Sequence, residues 1–289
     1  MPDAALPARV LLATDLSARS DRALDRAVQL ARQWQAGLVA LHVLEAALPD
    51  QVLAWVAREG QDDAAVVARR QLLQDIGPQS LDLSVQVAPP GDVARMACDV
   101  ARGQGCGLLV VGVARNEALG RFLLGSTAER LARLSSEPML VVRERCRAPY
   151  GRIVVATDFS PASAHAVRTA ARLFPGQELL LFHASGNPLP SDRHGDDASA
   201  RQSAAHEEAQ EEFTRFVAGL GLPDPVRVGT RVQPGSLEGA LTRHVRENAS
   251  DLVVIGNRGR GGLLGTLLGS TAERMLDWLP CDTLLVRAP

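Results

Sequence analysis

Three glycines in the second half of the chain are spaced for chemistry. Gly256 ends a short apolar run, Gly259 follows after two residues, and Gly269-Ser270 follows after nine more. A strand end, a glycine-rich turn and a helix start in this order make an anion site. Glycine lets the backbone approach closely and take positive φ, and the first-turn N–H groups of a helix attract negative charge. Ser270 and Thr271 add hydroxyls at the helix start, and Arg258 and Arg260 offer charge-assisted bonds from the loop. The stretch Leu267 to Arg274 also stands, letter for letter, at Leu123 to Arg130. The chain therefore reads as one domain written twice.

The first copy departs from the second. Gly112, Gly125 and Ser126 keep their places, but Arg115 replaces the second glycine and Glu117 stands where the second half has Gly261. A long side chain then occupies the point of closest backbone approach, and a carboxylate repels phosphate. Two outcomes stay open for this copy: a blocked site, or one in which Arg115 pairs with a phosphate.

Composition removes several chemistries. The chain contains no lysine; all 31 of its Lys-plus-Arg positions are arginine. A Walker-type loop and a protein-kinase site both need a lysine, as does Schiff-base catalysis. Any phosphate must be held by backbone N–H groups, arginine and hydroxyls. A net charge of −2 gives no pull toward nucleic acid or an anionic membrane. No apolar run approaches the ~20 residues of a membrane helix, and no leader is expected at Met1-Pro2-Asp3-Ala4. Cys98, Cys106, Cys146 and Cys281 are scattered, without a CxxC pair, and read as small core residues of a reducing cytoplasm.

The elements that must position these residues alternate. Arg9 to Ala13 is an apolar run ending at Thr14-Asp15, and a helix with Leu24, Ala27, Val28, Ala31 and Trp34 on one face follows. Strands at Leu38 to Val43, Leu81 to Val87, Leu108 to Val111 and Met139 to Arg143 are predicted, with helices at about Val52 to Ile76, Asp92 to Arg102 and from Ser126. The second half repeats the order. Its strands are predicted at Ile153 to Ala156, Glu178 to Phe182, Val226 to Val232, Leu252 to Ile255 and Thr283 to Val286. Its helices begin at Pro161, Ala198 and Ser236. This alternation implies an α/β fold with parallel sheets covered on both faces. The boundary falls between residues 147 and 148. Gly186 to Ala200, rich in Pro, Gly, Ser and Asp, reads as a mobile loop in which Asp192, His194, Asp196 and Asp197 are solvated rather than metal ligands.

With these motifs in hand, the chain resembles the universal stress proteins, specifically their tandem-domain members. The resemblance covers essentially the whole chain, twice. It rests on Val-Ala-Thr-Asp-Phe-Ser at 155–160, the strand ending Phe182-His183, the loop Gly256-Asn257-Arg258-Gly259-Arg260-Gly261-Gly262, and Leu268-Gly269-Ser270-Thr271. It implies two Rossmann-like domains of the adenine-nucleotide alpha-hydrolase-like type, 1–147 and 148–289, each with a five-stranded parallel sheet of order 3-2-1-4-5. The two would pack as an intramolecular pseudo-dimer through their last strands, and a further homodimer is possible. It further implies ATP or another adenine nucleotide, with Mg, as the ligand. Asp158 would lie on the adenine side, Ala156, Thr157 and Ala184 would be pocket wall, and Gly256, Arg258, Gly259, Gly269, Ser270 and Thr271 would cradle ribose and phosphates. In the first half Asp15, Val43, Gly112, Gly125 and Ser126 match.

The function so implied is a cytoplasmic ATP-binding regulatory module of the stress response, with a protein partner and little or no hydrolysis. A nucleotide-free scaffold, and a slow ATPase or adenylyl-transferring enzyme, are the alternatives. No SGGxDS-type loop is present, and no carboxylate–histidine pair is recognisably poised over the glycine loop. Asp15 and Asp158 could alternatively cap the helices that follow them. His42 and His183 end matching strands and read as satisfied structural residues, while His165, His206 and His244 read as helix-surface residues. Glu129-Arg130 and Glu273-Arg274 read as supports for the helices or for the contact between the halves.

Overall fold

A computed structural model of the chain describes residues 5–18, 20–45, 64–77, 80–113, 125–186, 195–257 and 268–288, with 195–205 described as backbone alone. The chain forms two compact units, dividing in sequence between Pro149 and Tyr150. Apolar runs flanked by helical stretches generate the same series of elements in each.

In the first unit these are β1 (Arg9–Ala13), α1 (Asp21–Trp34), β2 (Gly37–Val43), α2 (Ala64–Ile76) and β3 (Leu83–Ala88), then α3 (Val93–Gly103), β4 (Leu108–Gly112), α4 (Ser126–Leu134) and β5 (Met139–Val142). All strand pairs within it are parallel, in the order β3-β2-β1-β4-β5. Every residue of β2 is buried, as a strand covered on both faces requires. Leu24, Ala27, Val28, Ala31 and Trp34 of α1 are all buried.

The second unit holds β6 (Ile153–Ala156), α5 (Pro161–Leu173), β7 (Glu178–Ala184), α6 (Gly195–Leu220) and β8 (Arg227–Gln233), then α7 (Leu237–Asn248), β9 (Leu252–Gly256), α8 (Ser270–Trp278) and β10 (Asp282–Val286). Its parallel order is β10-β9-β6-β7-β8. Pro161 opens α5 behind Ser160, whose hydroxyl accepts from the Ser163 amide. Asp92 and Ser236 cap α3 and α7 in the same way.

Two expectations are corrected. Residues 195–200 are helix rather than loop, because α6 begins at Gly195. Asp192 and His194 lie outside the described residues, and no metal-ligand cluster exists among those described. His244 is buried, at 2% exposure, on the core stripe of α7 with Ala240, Leu241 and Val245. Its ring lies 5.2 Å from that of Phe182, and the Asn248 amide sits 3.2 Å from its Nδ1. His206 is exposed and His165 partly so.

Burial, reinforced by the charge of Arg231 and opposed by Glu247, holds His244 below the ordinary imidazole pKa. The unfolded chain therefore takes up this proton first. The neutral histidine's contribution is complete above the unfolded value near ~6.5 and is lost as pH falls below it. Urea melts at several pH values are expected to show a shallower loss of stability between pH ~7 and ~5.5 in His244→Gln; parallel curves would contradict this.

Cys98, Cys106 and Cys281 are buried and Cys146 is partly so. Burial pushes the Cys106 thiol up to about 11, with Arg9 pulling against it. No helix among the described residues is long and apolar enough to cross a membrane.

Candidate functional site

Strand register gathers the singled-out residues of the second half. Ile153, Val154 and Val155 lie level with Leu252, Val253 and Val254, Ala156 is level with Phe182, and Gly256 with Val286. The carboxyl ends of β6, β7 and β9 therefore lie side by side. Ala156-Thr157-Asp158, Ala184 and Gly256 meet at one end of the sheet, the end where ligands of open α/β sheets bind, beside the point at which strand order reverses.

The turn after β6 is held from within. The Thr157 amide donates to Phe182 O, and His183 Nδ1 lies 2.9 Å from Thr157 O. That bond makes Nδ1 the protonated nitrogen and leaves the lone pair of the neutral ring on Nε2. Thr157 Oγ1 accepts from the Phe159 amide at 2.9 Å and donates to Ser163 Oγ at 3.0 Å. Thr157 thus builds the turn rather than offering a free hydroxyl. Asp158 is half-buried, and its Oδ1 accepts from the Ser160 amide at 3.1 Å; the hydroxyl that caps α5 is Ser160, not Asp158. Phe159 takes a φ of 63°, an outlier for a bulky residue that is maintained only where the surroundings demand it. Here its ring packs against His183 at 4.5 Å, Phe213 at 4.8 Å and Phe216 at 5.6 Å.

The other wall is a helix start. Asn257, at 4% exposure, donates its amide to Val286 O and accepts from the Gly269 amide at 3.0 Å, while its Oδ1 accepts from Ala288 N. The segment that leaves β9 after Gly256 therefore returns to the same strand end at Gly269. Gly269 is the N-cap of α8 and has no side chain to cap with. The first-turn amides of Ser270, Thr271 and Ala272 have no acceptor among the described residues. The hydroxyl-bearing residues Ser270 and Thr271 are exposed. Arg258 and Gly259 lie outside the described residues.

The first half repeats this plan. Ala13 lies level with Leu41 and Val111, which sets Thr14 beside His42 and Gly112, and Asp15 beside Val43. His42 Nδ1 lies 3.0 Å from Thr14 O, and Leu16 has a φ of 61° with its amide on Thr14 Oγ1. Both strand-end histidines thus meet the backbone of the preceding turn through Nδ1. Gly125 is the uncapped N-cap of α4, ahead of exposed Ser126. Asp15 differs from Asp158 in its clamp: its Oδ1 accepts from Ser17 N, Ser17 Oγ and Ser20 Oγ, the last at 2.6 Å. Partial burial works to raise its pKa, yet these bonds win and hold it below the usual carboxylate value. Arg115 and Glu117 lie outside the described residues.

Arg130 pairs with Asp92 at the start of α3, and Arg274 with Glu238 of α7 at 2.9 Å. Both ties lie within one half and join neighbouring helices. One residue that spacing did not single out joins the second-half site. Gln233 ends β8 level with Ala184, and its Oε1 is buried without a hydrogen-bond partner among the described residues. By strand register the matching position of the first half is Ala88, level with Val43.

The group that fits these residues needs an acceptor-rich end for the α8 amides and a donor for the orphaned oxygen. A nucleotide, with phosphates and a base, has both. Comparison with known proteins agrees with the two-fold plan. The model of the universal stress protein family matches residues 8–143 and again 149–287. A universal stress protein of Mycolicibacterium smegmatis is 28% identical, over 96% of each chain. One from Mycobacterium tuberculosis is 29% identical, over 84% of this chain and 82% of its own. Among solved structures, a universal stress protein from Archaeoglobus fulgidus superposes with a TM-score of 0.67 at 19% identity, over 96% of this chain and 98% of the other. At that identity the likeness speaks for the fold.

Proposed function

The chain belongs to the universal stress protein family, and from that premise we propose that it is a cytoplasmic regulatory module of the stress response that binds ATP, or another adenine nucleotide, in its second half. The observation that carries this reading is the uncapped start of α8. Its N-cap, Gly269, is tied by its own amide to Asn257 at the end of β9, so the free first-turn amides stand beside Gly256. Gly256, Gly259 and Gly269 leave bare backbone for the phosphates, Arg258, Ser270 and Thr271 supply polar contacts, and Ala156, Thr157, Asp158 and Ala184 form the base side. The bound group supplies charge and a hydrogen-bonding pattern that a partner protein can read.

Hydrolysis is slow or absent in this reading. His183 spends Nδ1 on Thr157 O, and Asp158 Oδ1 receives the Ser160 amide, so both side chains are anchored to the turn after β6. The first half, with Arg115 and Glu117 in its loop, is the weaker site. The thermal midpoint of nucleotide-stripped protein tests the proposal. Mg-ATP at about 100 times its Kd should stabilise by ~2.7 kcal/mol, a rise of about 5 °C or more. A nucleotide-free scaffold would not respond, and rapid turnover dependent on Asp158 would move the reading to an enzyme.

A further inference from the structure

Gln233 carries an inference that rests on the nucleotide reading of the second half and goes beyond it. Buried carbonyl oxygens are almost always paired, so one that is not requires an explanation. Gln233 Oε1 is such an oxygen, and its residue ends β8 level with Ala184 at the carboxyl edge of the sheet. The face it occupies follows from the strands. The ring of Phe182 meets His244 of α7, so Phe182 points toward α7. Successive side chains alternate along a strand, which puts Ala184 on the same face. The β7–β8 register sets Gln233 beside Ala184 and hence on that face too. Arg231, two residues earlier on β8, agrees: its charge acts on His244. Helix α7 is tied to α8 through Glu238 and Arg274, so the uncapped start of α8 belongs to the same side of the sheet.

We propose that Gln233 is a specificity-determining residue whose side-chain oxygen accepts from the exocyclic amino group of the bound base, making the second-half site selective for an amino-purine over an oxo-purine. An oxo-purine presents an acceptor there, so it could be met only if the amide turned over and brought its Nε2 donors into the place of the buried oxygen. The first half has a methyl group, Ala88, in the matching place. Selectivity of this kind is therefore a property of the second half alone.

The test is calorimetric titration of the full chain with ATP and with inosine triphosphate, in wild type and in Gln233→Leu, together with ligand-free melts of both. Wild type is expected to prefer ATP by at least about 10-fold, and Gln233→Leu to bring the ratio of the two affinities near unity. The ligand-free midpoint of Gln233→Leu should not fall, because the substitution removes an orphaned acceptor. A fall of several degrees would show that the amide is paired within the protein, and would overturn the assignment. So would an ATP-to-inosine-triphosphate ratio that the substitution leaves unchanged; in that case the nucleotide reading stands. Binding of neither nucleotide by wild type overturns both.

Discussion

Replacing Gly259 with arginine is expected to weaken ATP binding at least ~10-fold, or about 1.4 kcal/mol. The substitution writes the first half's Arg115 into the second half's loop. That loop starts and ends at one place, since Asn257 O accepts from the Gly269 amide across it. In the proposed site backbone N–H groups would hold the phosphate, and the chain has no lysine to take over their work. A side chain at the second glycine of the spacing would come between backbone and ligand in that reading. The thermal midpoint without nucleotide should change little, which separates loss of the site from loss of the fold. Unchanged or tighter binding would mean that an arginine here pairs with phosphate, and would turn Arg115 of the first half from a block into a ligand.

Replacing Tyr150 with phenylalanine is expected to destabilise the second unit by about 1.5–3 kcal/mol. Tyr150 and Asp282 are 2% and 0% exposed, and the phenol donates to Asp282 Oδ2 at 2.5 Å. Asp282 opens β10, and Tyr150 precedes β6, so the bond ties the start of the unit to its last strand. Phenylalanine keeps the edge-on ring contact with Phe174, whose centroid lies 5.6 Å away, and removes only the donor. A buried carboxylate that loses a donor cannot turn to water instead. Urea denaturation should show a lower midpoint with an unchanged slope. A loss below ~0.5 kcal/mol would show that the other contacts of Asp282 suffice.

Much of this architecture was legible because buried parallel strands announce themselves. Val-Val-Ala-Thr-Asp, Leu-Val-Val-Ile-Gly and their counterparts in the first half are apolar runs ending in a polar residue or glycine, and the structure ends strands there. The uncapped helix start was legible for the same reason: Gly-Ser-Thr places a residue without a side chain where a cap would stand. The misreadings have physical causes. Gly195-Asp196-Asp197 has loop-like composition, but acidic residues are favoured in a first helical turn. His244 has a polar letter on an apolar stripe, and packing against Phe182 decided its place. Gln233 gave no signal, because a single amide in a strand has no spacing to recognise; only its burial and the register beside Ala184 give it meaning. The difference between the carboxylate clamps of Asp15 and Asp158 was equally hidden, since it depends on where two serine hydroxyls point.

On the proposed reading the second half is the main nucleotide site and the first half the weaker one. Calorimetric titration of nucleotide-stripped protein with Mg-ATP, read for stoichiometry, tests it most directly. One site per chain, abolished by Gly259→Arg, is the result predicted. Two equal sites, or no heat at all, would contradict it.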